Sequence, residues 1–193
     1  MAEFDRAPDG AVTRRHFLAA ATALATGATL YGGDARAAAG PLMTRPIPRT
    51  GERLPVIGLG TAIVFDIGED AARRAERSLV IAALVENGAR VIDTAPSYGT
   101  AESVAGDLVA ALGVRDRVFL ATKVRAAPRE AAAAEMQASL RRLRSSRLDL
   151  MQIHNPGTDL AAAADQLALL REWKERGVFR YLGVTHFQEA ANE

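Results

Sequence analysis

From about residue 50 onward the chain alternates short, continuous apolar runs with longer stretches whose apolar positions return at helical spacing. The short runs read as buried strands and the longer ones as helices with one covered face. The pattern predicts strands at Val56-Ile57-Gly58-Leu59, Arg90-Val91-Ile92-Asp93, Val118-Phe119-Leu120-Ala121-Thr122, Leu148-Asp149-Leu150-Met151-Gln152-Ile153 and Tyr181-Leu182-Gly183-Val184. The first predicted helix covers 70–87, with Leu79, Ala82, Ala83 and Leu84 to bury and Gly88 as its stop. The next covers 101–112 and ends at Gly113; a third covers 128–143, with Pro128 at its first position. A fourth runs from a Thr158 cap to Arg176 and stops at Gly177. Ahead of the first strand, residues 38–50 are rich in proline and turn formers and lead into a short hairpin closed near Thr50-Gly51-Glu52.

Strict alternation of strand and helix is the signature of parallel βα units. Units of roughly thirty residues suit either a (β/α)8 TIM barrel or an open doubly wound sheet. The second architecture, when it binds a dinucleotide, follows a strand with Gly-x-Gly-x-x-Gly. Gly58-Leu59-Gly60 lacks the third glycine and leads into Thr61-Ala62-Ile63-Val64 rather than a helix, which favours the barrel. Five strands and four helices of such an α/β barrel are present in the pattern.

Composition adds mostly exclusions. A formal net charge of +1 provides no field for a nucleic acid or an anionic membrane surface. The absence of cysteine excludes disulfides, thiolate metal sites and thiol nucleophiles. Lysine is scarce: Lys123 and Lys174 are the only two. Residues 1–37 do not read as part of a fold. Arg14-Arg15-His16-Phe17-Leu18 precedes a weakly hydrophobic Ala/Thr stretch, and Ala35-Arg36-Ala37 offers a small-x-small cleavage site. This layout resembles a twin-arginine (Tat) signal peptide, with the Tat export machinery as partner and a periplasmic or extracellular destination. The same stretch can be read as a short membrane anchor. Alanine and threonine contribute little transfer energy, however, and the run barely reaches the ~18 residues that a span needs.

In a barrel, chemistry sits just past the C-terminal strand ends. The predicted strands place Asp93, Lys123 and His154 there, with Tyr98 in the loop after Asp93. Such a set can protonate a carbonyl oxygen while a hydride reaches its carbon, and it needs no metal. A phenol has a reference pKa of ~10 and is a poor acid near neutrality. An adjacent ammonium stabilises the phenolate, a carboxylate can hold that ammonium charged and aimed, and an imidazole can donate to the substrate oxygen. Each residue alone has a plainer explanation: Asp93 as a loop cap, Tyr98 as a packed aromatic, Lys123 as half of a structural salt bridge, His154 as a satisfied core histidine. Their conjunction at successive strand ends carries the functional reading.

These residues resemble the aldo/keto reductase family. Leu54-Pro55-Val56-Ile57-Gly58-Leu59-Gly60-Thr61 is similar to its opening strand, and Gly88-Ala89-Arg90-Val91-Ile92-Asp93-Thr94-Ala95-Pro96-Ser97-Tyr98-Gly99 to the segment bearing its aspartate and tyrosine. Thr122-Lys123-Val124 resembles its lysine strand, and Leu148 to Pro156 its histidine strand. The resemblance implies reduction of a small aldehyde or ketone, with NADP(H) favoured and NAD(H) possible as cofactor. Tyr98 would be the acid, tuned by Lys123 and Asp93, and His154 would orient the carbonyl. Gly60, Thr61 and Gln152 would approach the nicotinamide, and Thr185 and His186 stand where the family commonly has a Ser-Asn pair gripping its amide. A complete barrel takes about 250 residues, so the expectation is a fragment or truncated product lacking the adenosine-phosphate site. A non-catalytic nucleotide-sensing subunit and an inactive remnant are the alternatives.

Overall fold

The structure, a computed structural model, describes residues 40–125, 128–156 and 160–186. Residues 1–37, expected to be a signal segment, and the expected Thr158 cap lie outside them. The described chain opens with an antiparallel hairpin, β1 (Thr44–Pro46) and β2 (Arg53–Pro55), closed by a turn in which Gly51 N–H donates to the Ile47 carbonyl. A five-stranded parallel sheet comes next: β3 (Gly58–Gly60), β4 (Val91–Asp93), β5 (Phe119–Val124), β6 (Leu148–His154) and β7 (Phe179–Thr185). The helices between them are α1 (Ala71–Glu86), α2 (Ala101–Ala111), α3 (Arg129–Arg142) and α4 (Leu160–Glu175).

Strand order in the sheet is strand order in the chain, β3-β4-β5-β6-β7. A doubly wound sheet reverses direction at a switch point, and this one does not. The topology is therefore that of consecutive βα units of a barrel, as the alternation predicts.

Along β6 accessibility alternates: Asp149, Met151 and Ile153 are buried, whereas Leu150, Gln152 and His154 are half-buried. The first set lies beneath the helices and the second on the opposite, inner face. The same alternation puts Asp93, Lys123, Gly183 and Thr185 on that inner face. Register makes Lys123, Gln152 and Gly183 cross-strand neighbours and pairs His154 with Thr185. The core between sheet and helices is built from Ile81, Val104, Leu120, Met136, Leu143, Met151, Leu170 and Phe179, all essentially inaccessible. Gly106 on α2 allows a close approach there, because a Cβ at this position would collide with the Arg142 carbonyl and the Leu143 backbone.

Two expectations shift. The first strand begins at Gly58 rather than Val56. Val56 N–H donates to the Met43 carbonyl and so prolongs the hairpin, leaving Val56 and Ile57 exposed. On α1 the buried residues are Ile81 and Val85, while Leu79 and Ala83 face outward. The covered stripe continues toward the N-terminus through two arginines, Arg74 hydrogen-bonded to the Gly68 carbonyl and Asp107, and Arg77 to the Val64 carbonyl. A count of apolar residues alone misses a stripe whose other half is guanidinium. Among the described residues no helix is long and apolar enough to cross a membrane.

Candidate active site

Asp93 is the last residue of β4, and its backbone carbonyl accepts from both Thr61 N–H and Thr61 Oγ1 at 3.0 Å, which ties the end of β3 to the end of β4. Its carboxylate reaches sideways. Oδ2 receives Lys123 Nζ at 2.6 Å, and Oδ1 receives Gln152 Nε2 at 3.3 Å. Lys123, with a side chain 4% exposed, also donates to the Thr94 carbonyl at 2.9 Å. A buried ammonium costs several kcal/mol unless it is paired and hydrogen-bonded. Here both conditions are met, and the arrangement fixes where the charge sits.

That position is next to the phenol. Lys123 Nζ lies 4.9 Å from the centroid of the Tyr98 ring. The His154 ring meets Tyr98 edge-on, with centroids 6.0 Å apart and planes at 90°. Tyr98, Lys123 and His154 line one cavity of about 460 Å³ together with Ser97, Arg125, Asn155, Thr185 and His186. Burial, and then the charges of Lys123 and Arg125, hold the His154 imidazole below the ordinary histidine range despite opposition from Asp93 and Glu135. The ring is therefore neutral at neutral pH. Its Nδ1 is buried with no hydrogen-bond partner among the described residues, as is Thr94 Oγ1.

The loop that carries Tyr98 is pinned from the neighbouring loop. Asp66 accepts from Thr100 N–H and Thr100 Oγ1, each at 2.9 Å, and these bonds keep its carboxyl below the usual range. Gly99 makes the approach possible. Its φ is +59°, and a Cβ there would run into the Asp66 carboxylate.

Behind β5, on the helix side, Glu102 is 1% exposed. It accepts from Thr122 Oγ1 at 2.6 Å, from Ser139 Oγ and from the Arg142 guanidinium. Thr122 precedes Lys123, so this ion pair anchors the strand end from which the lysine projects.

The predicted site residues thus share one end and one face of the sheet. Asp93, Tyr98, Lys123 and His154 converge, Thr185 and His186 line the same cavity, and Gln152 reaches it through Asp93. Thr61 contacts the Asp93 backbone, and Gly60 stands beside Asp93 in register with open space where a side chain would be. Sequence reasoning passed over Ser97, Arg125 and Asn155. Arg125 could have been found by reading two residues past Lys123, to the point where β5 has ended and the chain enters its loop.

Sequential parallel strands with all of this polarity at their C-terminal ends define a protein of the βα-barrel class whose site lies at the strand mouth. The chain belongs to the aldo/keto reductase family, whose family model matches residues 56–192. It is 39% identical over 138 residues to an aldo-keto reductase of Mycolicibacterium smegmatis, covering 69% of this chain and 45% of that one. It is 36% identical over 141 residues to methylglyoxal reductase YeaE of Escherichia coli, covering 71% and 47%. Among solved structures, an aldo-keto reductase from Klebsiella pneumoniae in complex with NADPH superposes with a TM-score of 0.63 at 32% identity, covering 72% of this chain and 48% of that one. The chain spans about half the length of the curated relatives it matches.

Proposed function

We propose that this protein reduces aldehydes or ketones with a reduced nicotinamide nucleotide, NADPH ahead of NADH, in a closed barrel that includes these residues. The observation that carries the reading is the seat of Lys123 Nζ, between the Asp93 carboxylate and the Tyr98 ring in a cavity that His154 also lines. The nicotinamide, when bound, supplies the hydride that the carbonyl carbon accepts. Everything else falls to the chain. The Tyr98 hydroxyl releases its proton to the carbonyl oxygen, so that carbonyl, hydride and proton sum to an alcohol, and Tyr98 is reprotonated from solvent. Lys123, held by Asp93 and the Thr94 carbonyl, stabilises the phenolate left behind. The neutral imidazole of His154 donates a hydrogen bond that orients the carbonyl oxygen.

The residues at the rim suit the nicotinamide end of such a nucleotide. Gly60 leaves room, Thr61 fixes the rim beneath it through the Asp93 carbonyl, and Gln152, Thr185 and His186 bring amide, hydroxyl and imidazole groups to the same mouth. The NADPH complex of the Klebsiella relative and the methylglyoxal reductase of Escherichia coli support the assignment.

The test is oxidation of NADPH with a generic aldehyde, monitored by absorbance. Tyr98→Phe is expected to lower the rate by ~10²–10⁴ while leaving the melting temperature in place. Equal rates for the two proteins would end the proposal.

We also propose that residues 1–37 act as a Tat-type export signal. In a reporter fusion, replacing Arg14 and Arg15 by lysine should hold the reporter in the cytoplasm; unchanged export would refute it.

A further inference from the structure

Arg125 directly follows β5, two residues beyond Lys123, and among the described residues its hydrogen bonds are made by its backbone. Its N–H donates to the Glu135 carboxylate at 2.7 Å, and its carbonyl accepts from Gln166 Nε2 at 3.4 Å. The side chain is exposed and makes no ion pair among the described residues, whereas Arg74, Arg90, Arg142 and Arg180 each do. It nevertheless lines the same cavity as Tyr98, Lys123 and His154.

Among the described residues no carboxylate lines that cavity. The charge of Lys123 is answered from beneath by Asp93, whereas no described side chain pairs with the Arg125 guanidinium at the mouth. A guanidinium with free donors beside a carbonyl-sized space is the geometry that takes a carboxylate through two parallel hydrogen bonds. We propose that the site selects carbonyl substrates bearing a carboxylate, keto acids or aldehyde acids, and that Arg125 binds that carboxylate. The inference rests on the reductase reading and adds the substrate class to it.

The test compares two aldehydes that differ only in charge, 4-carboxybenzaldehyde and its methyl ester. The wild type is expected to favour the acid in kcat/KM by about tenfold or more. Arg125→Leu should abolish that preference, and Arg125→Lys should keep most of it. Arg129→Leu, which breaks a surface pair with Glu172 away from the site, should leave the ratio as it was. An acid-to-ester ratio equal in the wild type and Arg125→Leu overturns the proposal. So does an Arg125→Leu variant that weakens NADPH binding and slows both aldehydes alike, because the guanidinium would then serve the nucleotide's phosphates.

A second measurement needs no turnover. His16, His154 and His186 are the only histidines, so the His154 ring can be followed by NMR. The groups acting on it are Lys123, Arg125, Asp93 and Glu135. Benzoate, an unreactive carboxylate, should raise the pH at which His154 titrates in the wild type and leave it unmoved in Arg125→Leu; no movement in the wild type sinks the proposal. If neither aldehyde is reduced, the reductase reading fails while the benzoate experiment still decides whether Arg125 holds an anion.

Discussion

At the N-terminal ends of the strands, Arg180 lies between Glu52 and Asp149, and each of those carboxylates has further partners. Glu52 also accepts from Tyr181 Oη at 2.6 Å and Arg90 at 3.1 Å, and Asp149 accepts from Leu120 N–H at 2.8 Å, with Arg115 beside it. At the C-terminal ends one ion pair, Lys123 with Asp93, stands beside a phenol, a guanidinium that is unpaired among the described residues, and a neutral imidazole whose Nδ1 has no partner among them. Both ends are rich in polar groups. One has used them up on its own residues, and the other has kept them available, which is the difference between a structural plug and a site.

Substitutions at matching positions separate the two roles, and the largest effect belongs to the mouth. Lys123→Met is expected to cut NADPH-dependent reduction by ~10²–10⁴ with little change in melting temperature, because the Asp93 carboxylate left behind is 38% exposed and can be solvated. The counterpart, Arg180→Met, should leave the rate per folded molecule intact but lower the unfolding free energy in urea by roughly 2–4 kcal/mol, because Glu52 and Asp149 lose their shared partner. Gly99→Ala, which strains φ and crowds Asp66, should cost about 1–2 kcal/mol and also slow catalysis by displacing the Tyr98 loop. The smallest effect is on pH dependence. The folded-state pKa of His154 is lowered, so its neutral form is favoured in the native state. Stability is therefore unaffected above about pH 6.5 and declines as pH falls below it, where the unfolded chain takes up the proton first. Glu52 is also lowered: burial opposes ionisation, but Tyr181, Arg180 and Arg90 outweigh it. Its contribution is intact above about pH 4.5 and is lost only as pH falls through its folded value. Urea melts across pH should show two separate declines, and His154→Phe should remove only the upper one.

Much of the mouth was legible because barrel geometry turns strand ends into a rule. Asp93, Lys123 and His154 emerge from finding where apolar runs stop, and Tyr98 from the loop beyond. What escaped depends on partners distant in sequence. Glu102 reads as an ordinary acidic residue in the first turn of a helix, and only the packing of α2 against β5 and α3 buries it with Thr122 and Arg142. Gln152 was named from the family resemblance, but its bond to the Asp93 carboxylate becomes visible only when register sets it beside Lys123. The buried stripe of α1 was misjudged because arginines form half of it, and an arginine can bury its stem and satisfy its head on nearby carbonyls. Arg125 was passed over because its interest lies in the cavity it faces: no carboxylate lines that cavity among the described residues, and the neighbouring Glu135 takes the backbone N–H.

The bond between Glu52 and the start of β7 also orders events during synthesis. Its two partners are separated by 128 residues, so at elongation rates of ~5–20 residues per second Glu52 is made roughly ten seconds before Arg180. Over that interval Glu52 has Arg90 as its available cation, and the nascent sheet grows from its first strands with its lower end unlocked. Arrival of Arg180 and Tyr181 supplies the remaining partners of Glu52, so the cluster at the foot of the sheet cannot be complete until β7 has been made.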